Sequence, residues 1–190
     1  MPKRVNFFKQ DCSCTLDEVY CWIVDLDDNN PAYVVDELAA DRIDGRADSK
    51  VKVIGFEGKS ALFYAIDKCL KIYRNSDSTE LESLAEGVIE VRSTNPIGPT
   101  NGTIPVRNKY IFVELKSTRT RGWSRAGIDQ LANTLRLFKA HHGEIAQSAE
   151  LECQLSNRKR PSVNTQQSGV INLFAQNTGV VLRICCPIQL

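Results

Sequence analysis

The chain has 190 residues, 42% apolar and 25% charged, with a formal net charge of +1. That is enough for one well-packed domain, or one domain with an elaboration, and the balance is ordinary for a globular protein. The longest apolar run is too short to span a bilayer. The basic start Met1-Pro2-Lys3-Arg4 is not followed by the apolar run of a signal peptide, so the expectation is a soluble, cytoplasmic protein with no membrane partner.

The seven cysteines (12, 14, 21, 69, 153, 185, 186) are odd in number, and several sit in apolar patterns where Cys acts as a small hydrophobe. Cys12 and Cys14 are too close for a usual zinc knuckle, and no second pair or His partner follows at metal spacing. Charge is unevenly spread. Residues 1–106 carry 12 Lys/Arg against 18 Asp/Glu, a net of −6; residues 107–190 carry 12 against 5, a net of +7. Two readings follow: a basic half suited to a polyanion, or two halves that attract each other within one fold.

In chain order, residues 1–18 are polar without a clear period. Two strands fit 18–25 and 31–36, joined by the turn-forming run Asp27-Asp28-Asn29-Asn30-Pro31. That run lacks the spaced ligands and Gly of an EF-hand loop. A polar loop covers 37–50 and a third strand 51–56. Ser60 can cap a helix to about residue 74, with Leu62, Phe63, Ile66, Leu70 and Tyr73 on its apolar face. Val88, Ile89 and Val91 mark a strand from Glu86. The Pro- and Gly-rich run 93–108 reads as a long hairpin tip. The hairpin's second arm is 109–116, where Ile111, Phe112 and Val113 suit a strand covered on both faces. A turn at 117–122 leads to a helix over 124–141 with a stripe of Ile128, Leu131, Ala132, Leu135 and Phe138. A strand at 150–155, the basic cluster Arg158-Lys159-Arg160, a short helix at 165–176 and a last strand at 180–188 complete the order. This predicts an α/β (α+β) domain, a mixed sheet flanked by helices. Its parts are a β-rich stretch at 1–58, a core at 59–156, and a helix and strand at 157–190 that complete the sheet.

Glu114 and Lys116 terminate the apolar arm of the hairpin and share a face, because strand side chains alternate. A carboxylate beside an ammonium at the end of a buried strand suits a divalent metal held next to a phosphate; it also suits a plain ion pair. The triplet is common by composition, and Glu57-Gly58-Lys59 is a second one, at an exposed-looking turn. Context separates them. Glu86 starts the hairpin's first arm, and Gln130 lies on the amphipathic helix after the triplet. Glu86 is equally readable as a solvated strand start, and Gln130 as a boundary residue. His141-His142 ends a helix, where positive groups meet the dipole favourably, and has no carboxylate cluster nearby in sequence.

With Val113-Glu114-Leu115-Lys116, Ala85-Glu86-Gly87 and Asp129-Gln130-Leu131 in these places, residues 60–155 resemble the PD-(D/E)xK nuclease superfamily, the restriction-endonuclease-like fold. The resemblance implies a Mg²⁺ (or Mn²⁺) ion held by Glu86, Glu114 and the Leu115 carbonyl, with Lys116 and Gln130 acting on water and phosphate. It implies an assisting acid on a first core helix, Asp67 or Glu82. Arg119, Arg121 and Arg125, with Arg158, Lys159 and Arg160, would hold nucleic-acid phosphates, DNA first among them. Trp123 is a candidate base stacker or a packing anchor. A double-strand cutter would be a homodimer, with the N-terminal hairpins as candidate interface. The departure is Glu86, where the family's usual residue is Asp. It keeps open a second reading: a catalytically inactive module that binds nucleic acid or a protein partner.

Overall fold

The computed structural model describes residues 5–26, 29–43, 49–74, 79–93, 108–116, 122–157, 165–184 and 186–190. The expected hairpin tips at 27–28 and 94–107, the Arg loop at 117–121 and the basic cluster at 158–160 lie outside them. Among the described residues the strands are β1 (Ser13–Leu16), β2 (Tyr20–Val24), β3 (Tyr33–Asp36), β4 (Lys50–Ile54), β5 (Lys59–Ala65), β6 (Gly87–Ser93), β7 (Lys109–Leu115), β8 (Glu150–Ser156), β9 (Val181–Ile184) and β10 (Ile188–Gln189). The helices are α1 (Glu37–Arg42), α2 (Trp123–His141), α3 (Gly143–Ser148) and α4 (Thr165–Thr178). The protein is mixed α/β, with two mixed sheets and flanking helices. One sheet runs β1-β5-β6-β7-β8-β9 and the other β10-β4-β2-β3.

Strand alternation sorts the six-stranded sheet into two faces. Even-numbered Tyr64, Val88, Tyr110 and Phe112 pack with Leu131, Leu135 and Phe138 of α2 and Phe174 of α4. Odd-numbered Phe63, Ile89, Ile111, Val113 and Leu115 pack against Ile23, Val51, Val53 and Ile188 of the second sheet. The β6–β7 pair is antiparallel, while β7–β8 and β8–β9 are parallel. The hairpin, α2 and β8 therefore stand where the periodicities place them.

Four expectations are corrected. Residues 60–74 are not a helix: they are β5 and the turn after it, paired with β1 on one side and β6 on the other. The run from Ala61 to Ile66 is continuously apolar because both faces of β5 are covered, and such a run satisfies a helical stripe equally well. Residues 13–16 are a strand, short enough to lack a readable period. Residues 37–42 form α1, capped by the Asp36 carboxylate accepting from the Ala39 N–H at 2.6 Å. The C-terminal stretch is two strands in two sheets, since β9 pairs with β8 and β10 with β4. The two sheets thus exchange chain ends: N-terminal β1 joins the larger and C-terminal β10 the smaller.

Cys12 and Cys69 form a disulfide with Cα atoms 6.4 Å apart, across 57 residues. Reading the cysteines as hydrophobes suits Cys21 and Cys153, which are free and buried, and misses this pair. No helix among the described residues is long and apolar enough to cross a membrane.

Gly87 opens β6 where the strands crowd: a Cβ there would stand 2.6 Å from the Tyr64 carbonyl oxygen and closer still to the Phe63 ring. We expect Gly87→Ala to lower stability by about 1–3 kcal/mol in denaturant titration, whereas Gly143→Ala, which meets nothing within 4 Å, changes it little.

Candidate functional site

Gly87 lies opposite Val113 in the β6–β7 ladder. One step beyond, Glu86 comes opposite Glu114, both on the face that α2 covers. Directly opposed residues of an antiparallel pair have Cβ atoms about 5 Å apart. Glu86 is 5% exposed and Glu114 is fully buried. Lys116 continues the same face, and its N–H donates to the Ser156 carbonyl at 2.8 Å, extending the parallel ladder with β8. Leu115, between them, points into the opposite core.

The helix supplies the third side. Lys116 Nζ lies against Glu114 Oε1 and donates to Gln130 Oε1 at 2.6 Å; Gln130 Nε2 donates to the Leu84 carbonyl at 3.1 Å. Thr134, one turn on, accepts from the Ala85 N–H at 2.8 Å, so α2 holds both residues that precede Glu86. Gly127 lets the helix approach: a Cβ there would be 2.6 Å from Leu155 Cδ1 and 3.3 Å from Glu114 Cγ. Glu86, Glu114, Lys116 and Gln130 are thus brought together.

The fourth side comes from elsewhere in the chain. Lys68 Nζ lies 3.4 Å from Asp25 Oδ1, at the end of β2, and 3.7 Å from Asp67 Oδ2, in the turn after β5. Asp67 therefore joins the site from a turn, not from a core helix. Glu82 does not: it accepts from Asn133 and pairs with Arg136 on the outer side of α2. Asp25 and Lys68 have no local sequence signal, since 43 residues separate them. Trp123 is buried in the core as a packing anchor. Arg125 is exposed in the first turn of α2, and the other candidate phosphate-binding residues lie outside the described residues. His141 and His142 accept the N–H groups of Val5 and Phe7 at 3.3 Å each, anchoring the N-terminal segment.

Glu86 Oε2 is buried with no hydrogen-bond partner among the described residues, whereas the buried Glu114 carboxylate is held by the Lys116 ammonium and the Glu86 backbone amide. Burial pushes the Glu114 carboxyl up to about 7, against the opposing pull of Lys116. Burial, followed by the charges of Glu114, Asp25 and Asp67, holds Glu86 well above the usual carboxylate range. Lys68 is disfavoured as a cation by burial, but Asp25, Glu86 and Asp67 outweigh that and raise it. The oxygens form a hard-donor set suited to a small divalent cation. Among the described residues, no three His, Cys, Asp or Glu side chains converge as a ready-made metal cage. Compared with protein-family models, curated proteins and solved structures, the chain matches none of them.

Because Glu114 binds its proton more tightly folded than unfolded, its contribution to stability is fully kept below the unfolded value near 4.5 and falls as pH rises to about 7. Glu86 acts in the same direction. Without added metal, we expect stability to decline over that window by at most about 1.4 kcal/mol per pH unit for each group. Denaturant midpoints measured across the window should flatten in Glu114→Gln.

Proposed function

We propose that the chain is a metal-dependent nuclease hydrolysing phosphodiester bonds, DNA being the first substrate to test, with Glu86 and Glu114 as ligands of a Mg²⁺ or Mn²⁺ ion. One observation carries this reading: two carboxylates are buried side by side across two strands, Glu114 against Lys116 and Glu86 with its Oε2 lacking a hydrogen-bond partner among the described residues. Such burial is costly unless a cation compensates it. Mg²⁺ takes one or two carboxylates and keeps several waters, so two acids with the Leu115 carbonyl are a sufficient protein contribution. When bound, the ion would polarise a phosphate oxygen and lower the pKa of a coordinated water. Lys116, oriented by Gln130, would position or deprotonate the attacking water and stabilise charge on the phosphate. Arg125, with Arg119, Arg121, Arg158, Lys159 and Arg160, would hold flanking phosphates. The reading goes with the restriction-endonuclease-like resemblance, a cytoplasmic setting and, for double-strand cutting, a homodimer. The Cys12–Cys69 disulfide is the observation against a reducing compartment.

A second reading, a non-catalytic module binding nucleic acid or a protein partner, is favoured by a different observation. Lys116 already neutralises Glu114 in a closed setting. The strand β5 standing where the resemblance implies a core helix weighs on the same side.

Plasmid and single-stranded DNA incubated with the protein and Mg²⁺ or Mn²⁺ separate the two. We expect cleavage that drops about a hundredfold or more in Glu114→Gln and in Lys116→Met, with folding retained by circular dichroism. Salt-dependent DNA binding without cleavage, together with no Mn²⁺ uptake, would establish the second reading instead.

A further inference from the structure

The Cys12–Cys69 bond meets the site at its most constrained turn. The Cys69 N–H donates to the Asp67 carbonyl at 2.7 Å, closing a three-residue turn centred on Lys68, whose φ is 61°. Turns of this hand are rare and strained for an L-residue, and such a conformation persists only where its surroundings over-determine it. Two kinds of contact hold it here. The Lys68 ammonium lies between Asp25 and Asp67, at 3.4 and 3.7 Å. Cys69, the next residue, is bonded to Cys12, which stands directly before β1.

The bond can open without taking the fold apart. β1 stays paired with β5 through the ladder from Ser13–Tyr64 to Leu16–Ala61. Upstream, the N–H groups of Val5 and Phe7 stay on His141 and His142. What loses a covalent restraint is the turn that carries Asp67 and Lys68. Cys12 and Cys69 are each half-buried, which leaves surface for a thiolate to approach, and accessible disulfides are the labile, regulatory ones. Cys14, Cys21 and Cys153 are thiols in the same chain, and the two cores are extensive without any cross-link. A disulfide in such company is the pattern of a redox sensor, not of a small secreted scaffold.

We infer that the Cys12–Cys69 disulfide is a redox switch of this site: oxidised, it holds Lys68 in the acidic cluster; reduced, it lets the turn relax and withdraws the ammonium from Asp25 and Asp67. The reductant is a dithiol. Its thiolate attacks one sulfur of the pair, the S–S bond breaks, and the other cysteine leaves as a thiolate that takes up a proton. The reductant's second thiolate then resolves the mixed disulfide. Cys12 and Cys69 together gain two electrons and two protons, and the dithiol is oxidised to its own disulfide. This adds regulation to the site of the proposed function, but it rests on the geometry of the cluster and holds whether or not a metal binds there. It also gives the bond a place in a thiol-reducing compartment, as one of two states of the protein.

The test is a brief pulse of an N-hydroxysuccinimide acetate on the full chain, with acetylation read per peptide by mass spectrometry. Lys52, its side chain 40% exposed, is the internal reference. The chain isolated without reductant should yield linked Cys12–Cys69 peptides and a slowly modified Lys68. Reduction with dithiothreitol and desalting under argon should raise the Lys68-to-Lys52 ratio about fivefold or more with circular dichroism unchanged, and reoxidation should restore it. Cys12→Ser combined with Cys69→Ser should start at the raised ratio and ignore dithiothreitol; should that variant fail to fold, the reduced native chain decides. The inference is overturned by the absence of linked peptides before reduction, by an unchanged Lys68 ratio after it, or by a loss of circular dichroism that exposes the lysines together. None of these outcomes bears on Mn²⁺ uptake, so the metal reading stands or falls separately.

Discussion

The burial of two carboxylates side by side, Glu86 and Glu114, is the constraint that the surrounding structure answers. Like charges on opposed positions of an antiparallel pair repel, and removal from water removes the screening that would weaken the repulsion. Each neighbouring element supplies part of the response. β7 continues to Lys116, α2 supplies Gln130 and lies close through Gly127, and the turn after β5 turns Lys68 inward. The response is partial: Glu114 is held up near 7 and Glu86 well above its usual range, so the cluster retains an affinity for positive charge. Protons can meet that demand at low pH, and a divalent ion can meet it at higher pH.

The second sheet takes part in this balance. Its position is secured from both chain ends, because β1 leaves the N-terminal region to pair with β5 while β10 returns from the C-terminus to pair with β4. The packing of Ile23, Val51 and Val53 against the odd-numbered face of the larger sheet holds the end of β2 where Asp25 meets Lys68. Asp25, at the end of β2, thus bears directly on the electrostatics of the site.

What was legible in the sequence follows from the length and regularity of each element. α2 has five turns of clean stripe, and β7 an apolar core with charged ends; Glu114, Lys116 and Gln130 lie on these two elements and meet as their periodicities require. β5 is not distinguishable from a helix in the sequence because the apolar run 61–66 is compatible with either period, and only its two strand partners decide between them. β1 and α1 are too short to establish a period, although Asp36 carried a usable capping signal. Asp25, Lys68 and Thr134 reach the site through contacts that exist only after the sheets have packed. Nothing within a local window marks them, and the Cys12–Cys69 pairing is hidden for the same reason.

The same hairpin sets a saturated buried acid beside an unsaturated one. Glu90 is four residues along β6 from Glu86, on the same face and equally buried at 5% exposure. Its carboxylate accepts from Tyr64 Oη at 3.2 Å, Tyr110 Oη at 3.1 Å and Arg92 through Nε at 3.0 Å and Nη2 at 2.9 Å. Glu152 on β8, also buried, accepts from Arg183 and pairs with Lys109. The fold therefore supplies donors to its buried acids where those acids serve packing. At the other end of the hairpin Glu86 Oε2 has no such donor among the described residues, and Glu114 has the Lys116 ammonium where Glu90 has tyrosines and an arginine. A hydrogen-bonding side chain such as Tyr, Asn or Arg at the Gly127 position would clash with Leu155, so the close approach of α2 that buries Glu114 also keeps such a donor away. A small cation makes no such demand on space, and the metal reading differs from a structural ion pair in the partner it gives to Glu86 Oε2.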